Sequence, residues 1–158
     1  MTPSLRLLVL GGLLLTAACS RPPAAPPTAP ARHEHHAPHG GTPVMLGAEL
    51  YHLELVRDAA DGRLRAYVLD GELENFIRIA APAIELTATV DGQPRPLVLT
   101  AVANPATGES VGDTACFEGQ ADWLRTTPAF DAVLVHLEVR GTTFTAVAFN
   151  FPRGNDRD

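Results

Sequence analysis

From Leu50 to Phe151 the chain alternates apolar and polar residues in short runs, each ended by turn-forming residues. That period of two is the mark of half-buried β-strands, and it leaves little room for helices. Residues 50–57 (LYHLELVR) put Tyr51, Leu53 and Leu55 on one face and His52 and Glu54 on the other. A turn at 58–62 (DAADG) leads into a hairpin partner at 64–70. A short strand is expected at 76–79, and residues 84–90 alternate Ile84, Leu86, Ala88 and Val90 against Glu85, Thr87 and Thr89. Asp91-Gly92 turns the chain into 97–103, and 104–113 (NPATGESVGD) is a long loop. A brief strand at 114–117 and one or two helical turns within 119–125 follow. Residues 132–140 alternate again, with Val133, Val135, Leu137 and Val139 expected inward, and a hairpin at 140–143 leads into 144–151. Seven or eight such strands indicate an all-β fold, a small antiparallel β-sandwich of Ig-like or cupredoxin-like type with one short helix. A partly open barrel is the alternative. Phe117, Trp123, Phe130, Phe144, Phe149 and Phe151 read as core.

The segments outside this domain, placed at 42–151, are of other kinds. Arg6, the apolar run at 7–15 and the small residues Thr16-Ala17-Ala18 make residues 1–18 a secretory signal. The run is too short to cross a bilayer, which takes roughly 20 apolar residues. Cys19 sits where the lipobox of bacterial lipoproteins places its acylated cysteine, although the usual Leu is displaced from Thr16 to Leu15. The expected product is lipid-anchored through Cys19 in the cell envelope, with Ser20 resembling lipoproteins sorted to the periplasmic face of an outer membrane. Ordinary cleavage to a soluble protein is the alternative. Residues 20–32 (SRPPAAPPTAPAR), with Cys19, form a Pro/Ala-rich tether, and 152–158 (PRGNDRD) a polar tail.

Charge narrows the partners. The chain has no Lys, and removal of the signal leaves 11 Arg against 18 acids. Such a balance disfavours nucleic acid and anionic lipid headgroups. With Cys19 acylated, Cys116 has no disulfide partner and reads as a small buried hydrophobe, with a reactive or metal-binding thiol as the minor alternative.

Four of the six histidines, His33, His35, His36 and His39, fall at 33–41 (HEHHAPHGG). Neutral imidazole is the commonest protein ligand for Zn and Cu, and short His-rich tracts read as metal binding. In an extended segment His33 and His35 share a side. The opposing reading is a solvated tail that binds metal weakly. The spacing matches no defined tetrahedral motif. Gly40 and Gly41 let the backbone approach the domain closely, which would bring His39 near His52, assisted by Glu54 or a second His from the tract; an exposed strand residue pairing with Glu54 or a neighbour is the other reading of His52. The candidate metal ligands are thus His33, His35, His36, His39, His52 and Glu54, and affinity is expected to fall as the histidines protonate.

No enzyme signature is present. Ser20 and Ser110, the serines beyond the signal, lie in no nucleophile elbow, and Gly108, Gly112 and Gly119 make no phosphate loop. Asp70, Glu72 and Glu74 lack calcium-loop spacing and read as a solvated turn. The tripeptide His-Leu-Glu recurs at 52–54 and 136–138, a geometric option rather than a repeat.

The runs HEHHAPHGGTPVMLGAELYHLELV and GRLRAYVLDG, with VANPATGESVGDTACFEG and FNFPRGN later, resemble a group of small uncharacterised bacterial exported proteins. The matching positions include His39, Gly40, Gly41, Tyr51, His52 and Glu54, while Cys116 departs from a polar residue expected there. Members found beside heavy-metal efflux systems imply metal handling. The resulting expectation is a non-enzymatic, membrane-anchored lipoprotein binding Cu or Zn, with no organic cofactor. It would buffer the ion or hand it to an efflux partner. The other function class open to it is a structural or protein-interaction module of the envelope with an incidental His-rich tail.

Overall fold

The structure is a computed structural model describing residues 36–156. The signal segment 1–18, Cys19, the Pro/Ala tether, His33 and His35 lie outside the described residues. The fold is all-β and antiparallel with one short helix. Its strands are β1 (Thr42–Leu46), β2 (Tyr51–Asp58), β3 (Arg63–Asp70), β4 (Ala83–Val90), β5 (Gln93–Ala101), β6 (Cys116–Gln120), β7 (Phe130–Val139) and β8 (Thr142–Phe151), with helix α1 (Trp123–Thr126) between β6 and β7.

The strands that a sandwich would divide between two layers are hydrogen-bonded here into one eight-stranded sheet, ordered β1-β2-β3-β6-β5-β4-β7-β8. The sheet curls so that β1 and β8 lie against each other, giving a barrel-like wrap around one core. All eight strands feed that core, from Val44 and Leu46 on β1 to Phe149 and Phe151 on β8. Of the six aromatics expected inside, Trp123 is partly buried and the five Phe are buried.

β4 follows its period: Ile84, Leu86, Ala88 and Val90 are buried. β7 does not keep a single phase. Its buried residues are Ala132, Leu134, Leu137 and Val139, while Val133 and Val135 are 37% and 43% exposed. The register against β4 steps from Leu86↔Leu134 to Glu85↔His136, leaving Val135 as an extra residue. This β-bulge flips the inward set, which corrects the expectation for Val133 and Val135. On β8, Ala146 has a φ of 53° and the inward set changes there too, from Phe144 to Phe149 and Phe151.

Three further boundaries differ from the sequence reading. β1 is a strand that the short, Pro-containing TPVML did not announce. Residues 76–79 are not a strand; Phe76 and Ile79 make single bridges to Leu69 and Thr114. The brief strand expected at 114–117 is β6, which runs on through Gln120.

The polar tail is part of the barrel as far as Asn155. The Met45 N–H donates to Asn155 Oδ1 at 2.7 Å, and Asn155 Nδ2 donates to the Met45 carbonyl at 3.0 Å. One amide side chain thus satisfies both backbone groups of an edge residue, as a neighbouring strand would. Thr42 Oγ1 donates to the Pro152 carbonyl at 3.2 Å. Gly154 lies so close to β1 that a Cβ would stand 2.3 Å from the Pro43 carbonyl oxygen.

Candidate functional site

On β2, Leu53 and Leu55 enter the core, so His52 and Glu54 face the other side of the sheet. That side is not open water: Glu54 is fully buried and His52 nearly so. The cover over Glu54 is the strap that precedes β1. Gly40 closes a turn by donating to the Ala37 carbonyl at 2.9 Å. Gly41 then lies directly on β2, where a Cβ would meet the Leu55 carbonyl oxygen at 2.6 Å and Glu54 Cγ at 2.8 Å. Only glycine permits that approach.

The strap brings three donors to one carboxylate. Glu54 Oε1 accepts from the backbone N–H groups of His39 (2.7 Å) and Gly41 (2.9 Å). Glu54 Oε2 pairs with His39 Nδ1 at 2.8 Å. A carboxylate only accepts, so the proton on that contact belongs to Nδ1, and Nε2 points away from the pair.

Glu54 pairs across the sheet with Tyr67, and Tyr67 with Cys116. These three side chains therefore form a transverse row on the outer face, neighbours about 5 Å apart. The His39 ring stacks on Tyr67, with centroids 4.0 Å apart and planes at 15°. Phe76 adds a third ring, 5.6 Å from His39 and 6.0 Å from Tyr67.

Beside these rings lies a cavity of about 700 Å³, lined among others by Arg65, Val102, Ala115 and Cys116. Arg65 Nε donates to Glu118 Oε2 at 2.7 Å, which keeps its guanidinium firmly charged. Arg78 donates to the Thr107 carbonyl at 2.5 Å and pairs with Asp113 at 3.3 Å, tying down the 104–113 loop. Burial pushes the Cys116 thiol up, so it is a protonated hydrogen-bonding group and not a ready thiolate. Burial, then the neighbouring Cys116, likewise raises the Tyr67 hydroxyl.

Four of the six candidate ligands fall among the described residues, and of these His39 and Glu54 are in contact. His33 and His35 lie outside the described residues. His36 is exposed, and His39 is fixed on Glu54. His52 turns Nδ1 toward the Asp70 carbonyl at 3.3 Å. Glu54 accepts three hydrogen bonds through its two carboxylate oxygens. Among the described residues no group of three or more His, Cys, Asp or Glu is arranged to hold a metal ion. The acids at 70–74 form a capped turn: Asp70 accepts from the Glu74 N–H at 2.9 Å and from Asn75 Nδ2 at 2.6 Å.

The cavity was missed by reading residues for metal chemistry alone. Its trace in the sequence was β3, where Leu64, Ala66 and Val68 point inward and leave Arg65 and Tyr67 on the outer face. An aromatic on the polar phase of a strand signals something covering it. No family model, no curated protein and no solved structure matches this chain.

Proposed function

We propose that this chain is an exported, non-enzymatic envelope protein, anchored through Cys19, that binds a transition-metal ion through its N-terminal histidines. Cu and Zn are the ions suited to imidazole donors in an oxidising compartment. The ion would be buffered or handed to an efflux partner. The observation that supports this reading is the His39–Glu54 contact. Metal-binding histidines commonly give their second ring nitrogen to a carboxylate, which fixes tautomer and ring direction. Here Nδ1 is so held and Nε2 is left for the ion, with His36 three residues away and His33 and His35 just before it.

Calorimetric titration of residues 19–158 with Cu(II) and Zn(II) tests it. Replacing His33, His35, His36 and His39 together by Ala is expected to abolish binding. Glu54→Gln is expected to weaken it by about tenfold or more through the loss of orientation. Equal binding by the four-histidine variant and the parent removes the histidines from the account. The interaction-module reading rests on a separate observation, the exposed Val98, Val133 and Val135 on β5 and β7. It is favoured if a defined partner binds equally with and without chelator.

A further inference from the structure

We infer that the cavity beside Tyr67 is a binding site for a small planar organic anion, an aromatic or heteroaromatic carboxylate. Its volume of about 700 Å³ suits such a ligand. His39 and Tyr67 present nearly parallel rings, and Phe76 stands tilted to them by 49° and 60°. Phe76 is 47% exposed, an aromatic ring left at the cavity while five other Phe are buried in the core. A flat ligand against this corner covers it and gains ring–ring contact.

Charge sets the sign of the ligand. The chain as a whole carries −6, yet the cavity is lined by two arginines and one carboxylate. That carboxylate, Glu109, is already engaged by the Thr107 hydroxyl at 2.6 Å and the Ala115 N–H at 2.9 Å. Arg78 is committed to the 104–113 loop and acts as a positioning residue for that rim. Arg65 differs. Only its Nε is bonded to Glu118, and among the described residues its Nη groups pair with no carboxylate. A guanidinium presented beside an aromatic wall is suited to hold a carboxylate through two parallel hydrogen bonds. A cationic ligand meets repulsion from both arginines, and a purely apolar one strips water from the Arg65 Nη groups without supplying a carboxylate. The site goes beyond metal binding and needs no ion; it shares with that reading only His39 and the Glu54 that holds it.

The test is calorimetric titration of the full mature chain, in chelator, with three probes. These are 2-naphthoate, its uncharged isostere 2-naphthamide, and cyclohexanecarboxylate, which keeps the charge but not the aromatic plane. Saturable 2-naphthoate binding is expected, with both other probes weaker by about tenfold. Arg65→Gln and Phe76→Ala, both at exposed or half-exposed positions, are each expected to weaken 2-naphthoate by about tenfold. Amide shifts on binding are expected at Val102, Ala115 and Cys116. Replacing His33, His35 and His36 by Ala is expected to leave 2-naphthoate binding unchanged, which separates this site from the metal reading. Absence of saturable 2-naphthoate binding overturns the proposal, as does equal affinity for 2-naphthamide. If Arg65→Gln does not fold, the comparison of probes on the parent chain decides alone.

Discussion

His39 gives both its backbone N–H and its Nδ1 to the carboxylate of Glu54, at 2.7 and 2.8 Å, across a sequence separation of 15 residues. The contact joins the segment ahead of β1 to the outer face of β2. It also stacks an imidazole on Tyr67 at the edge of the cavity. Two candidate sites, one for an ion and one for an organic anion, therefore depend on the same carboxylate.

Glu54→Ala leaves the amides of His39 and Gly41 without their acceptor and frees the His39 ring. A loss of about 2–4 kcal/mol is expected in urea denaturation, the range for hydrogen bonds to a buried charged group. A loss under about 1 kcal/mol means that the strap contributes little to the fold.

Gly41→Ala separates the strap from the sheet without replacing a hydrogen-bonding side chain. The added methyl meets backbone at 2.6 Å and the Val56 side chain at 2.8 Å, so the strap must lift. Destabilisation by about 1–3 kcal/mol is expected, together with loss of the ring-current shift that Tyr67 imposes on His39. An unchanged His39 spectrum is the result that counts against a fitted strap.

Asn155→Ala removes both hydrogen bonds to Met45. Equilibrium unfolding is expected to shift by about 1–3 kcal/mol, and hydrogen exchange at the Met45 amide to quicken ahead of the other β1 amides. Uniform exchange along β1 in the variant argues that the tail does not seal this edge.

Acid is expected to weaken the fold through Asp70 and Glu109. Burial alone raises both carboxyls, but hydrogen bonds outweigh it: to Asp70 from the Asn75 side chain and the amides of Asn75, Glu74 and Glu72, and to Glu109 from the Ala115 amide and the hydroxyls of Thr107 and Thr114. Both are therefore held below the ordinary values of 3.8 and 4.5. Depressed groups stabilise fully above their unfolded values, and the contribution is lost as pH falls through the folded ones. The urea midpoint is thus expected to be flat down to about pH 5 and to drop below it, less steeply in Asp70→Asn. An identical acid limb in that variant removes Asp70 from the effect.

Cys116 is expected to resist alkylation. With its thiol raised by burial, iodoacetamide at about pH 8 is predicted to modify it at least tenfold more slowly than an unstructured cysteine. Mass-spectrometric mapping at Cys116 reads the rate, and modification as fast as in urea contradicts the assignment.

How much of this was legible depends on what each residue's partner was. β4 was readable because its period runs unbroken and its turn, Asp91-Gly92, is explicit. β7 was misread because apolar residues run through both phases from Ala132 to Val135, and the bulge at Val135 is set by the register with β4, which no local pattern carries. The HGG run did announce a close approach. The partner that it reaches is Glu54, whose burial depends on cover from residues 13 to 15 positions earlier. The tail looked like loop because its composition is polar. Its structural work is done by one amide side chain and by backbone, neither of which leaves a hydropathy signal.

The seam between β1 and the tail also bears on the order of assembly. Met45 and Asn155 are 110 residues apart, as are Thr42 and Pro152. Their closure comes at a high loop entropy, and ribosomes deliver the second partner long after the first. Until residues 152–155 have been synthesised, β1 presents Met45 with its amide and carbonyl unsealed. The β1 edge is therefore the last seam of the barrel to close, after the strands that it pairs with and wraps against have been made.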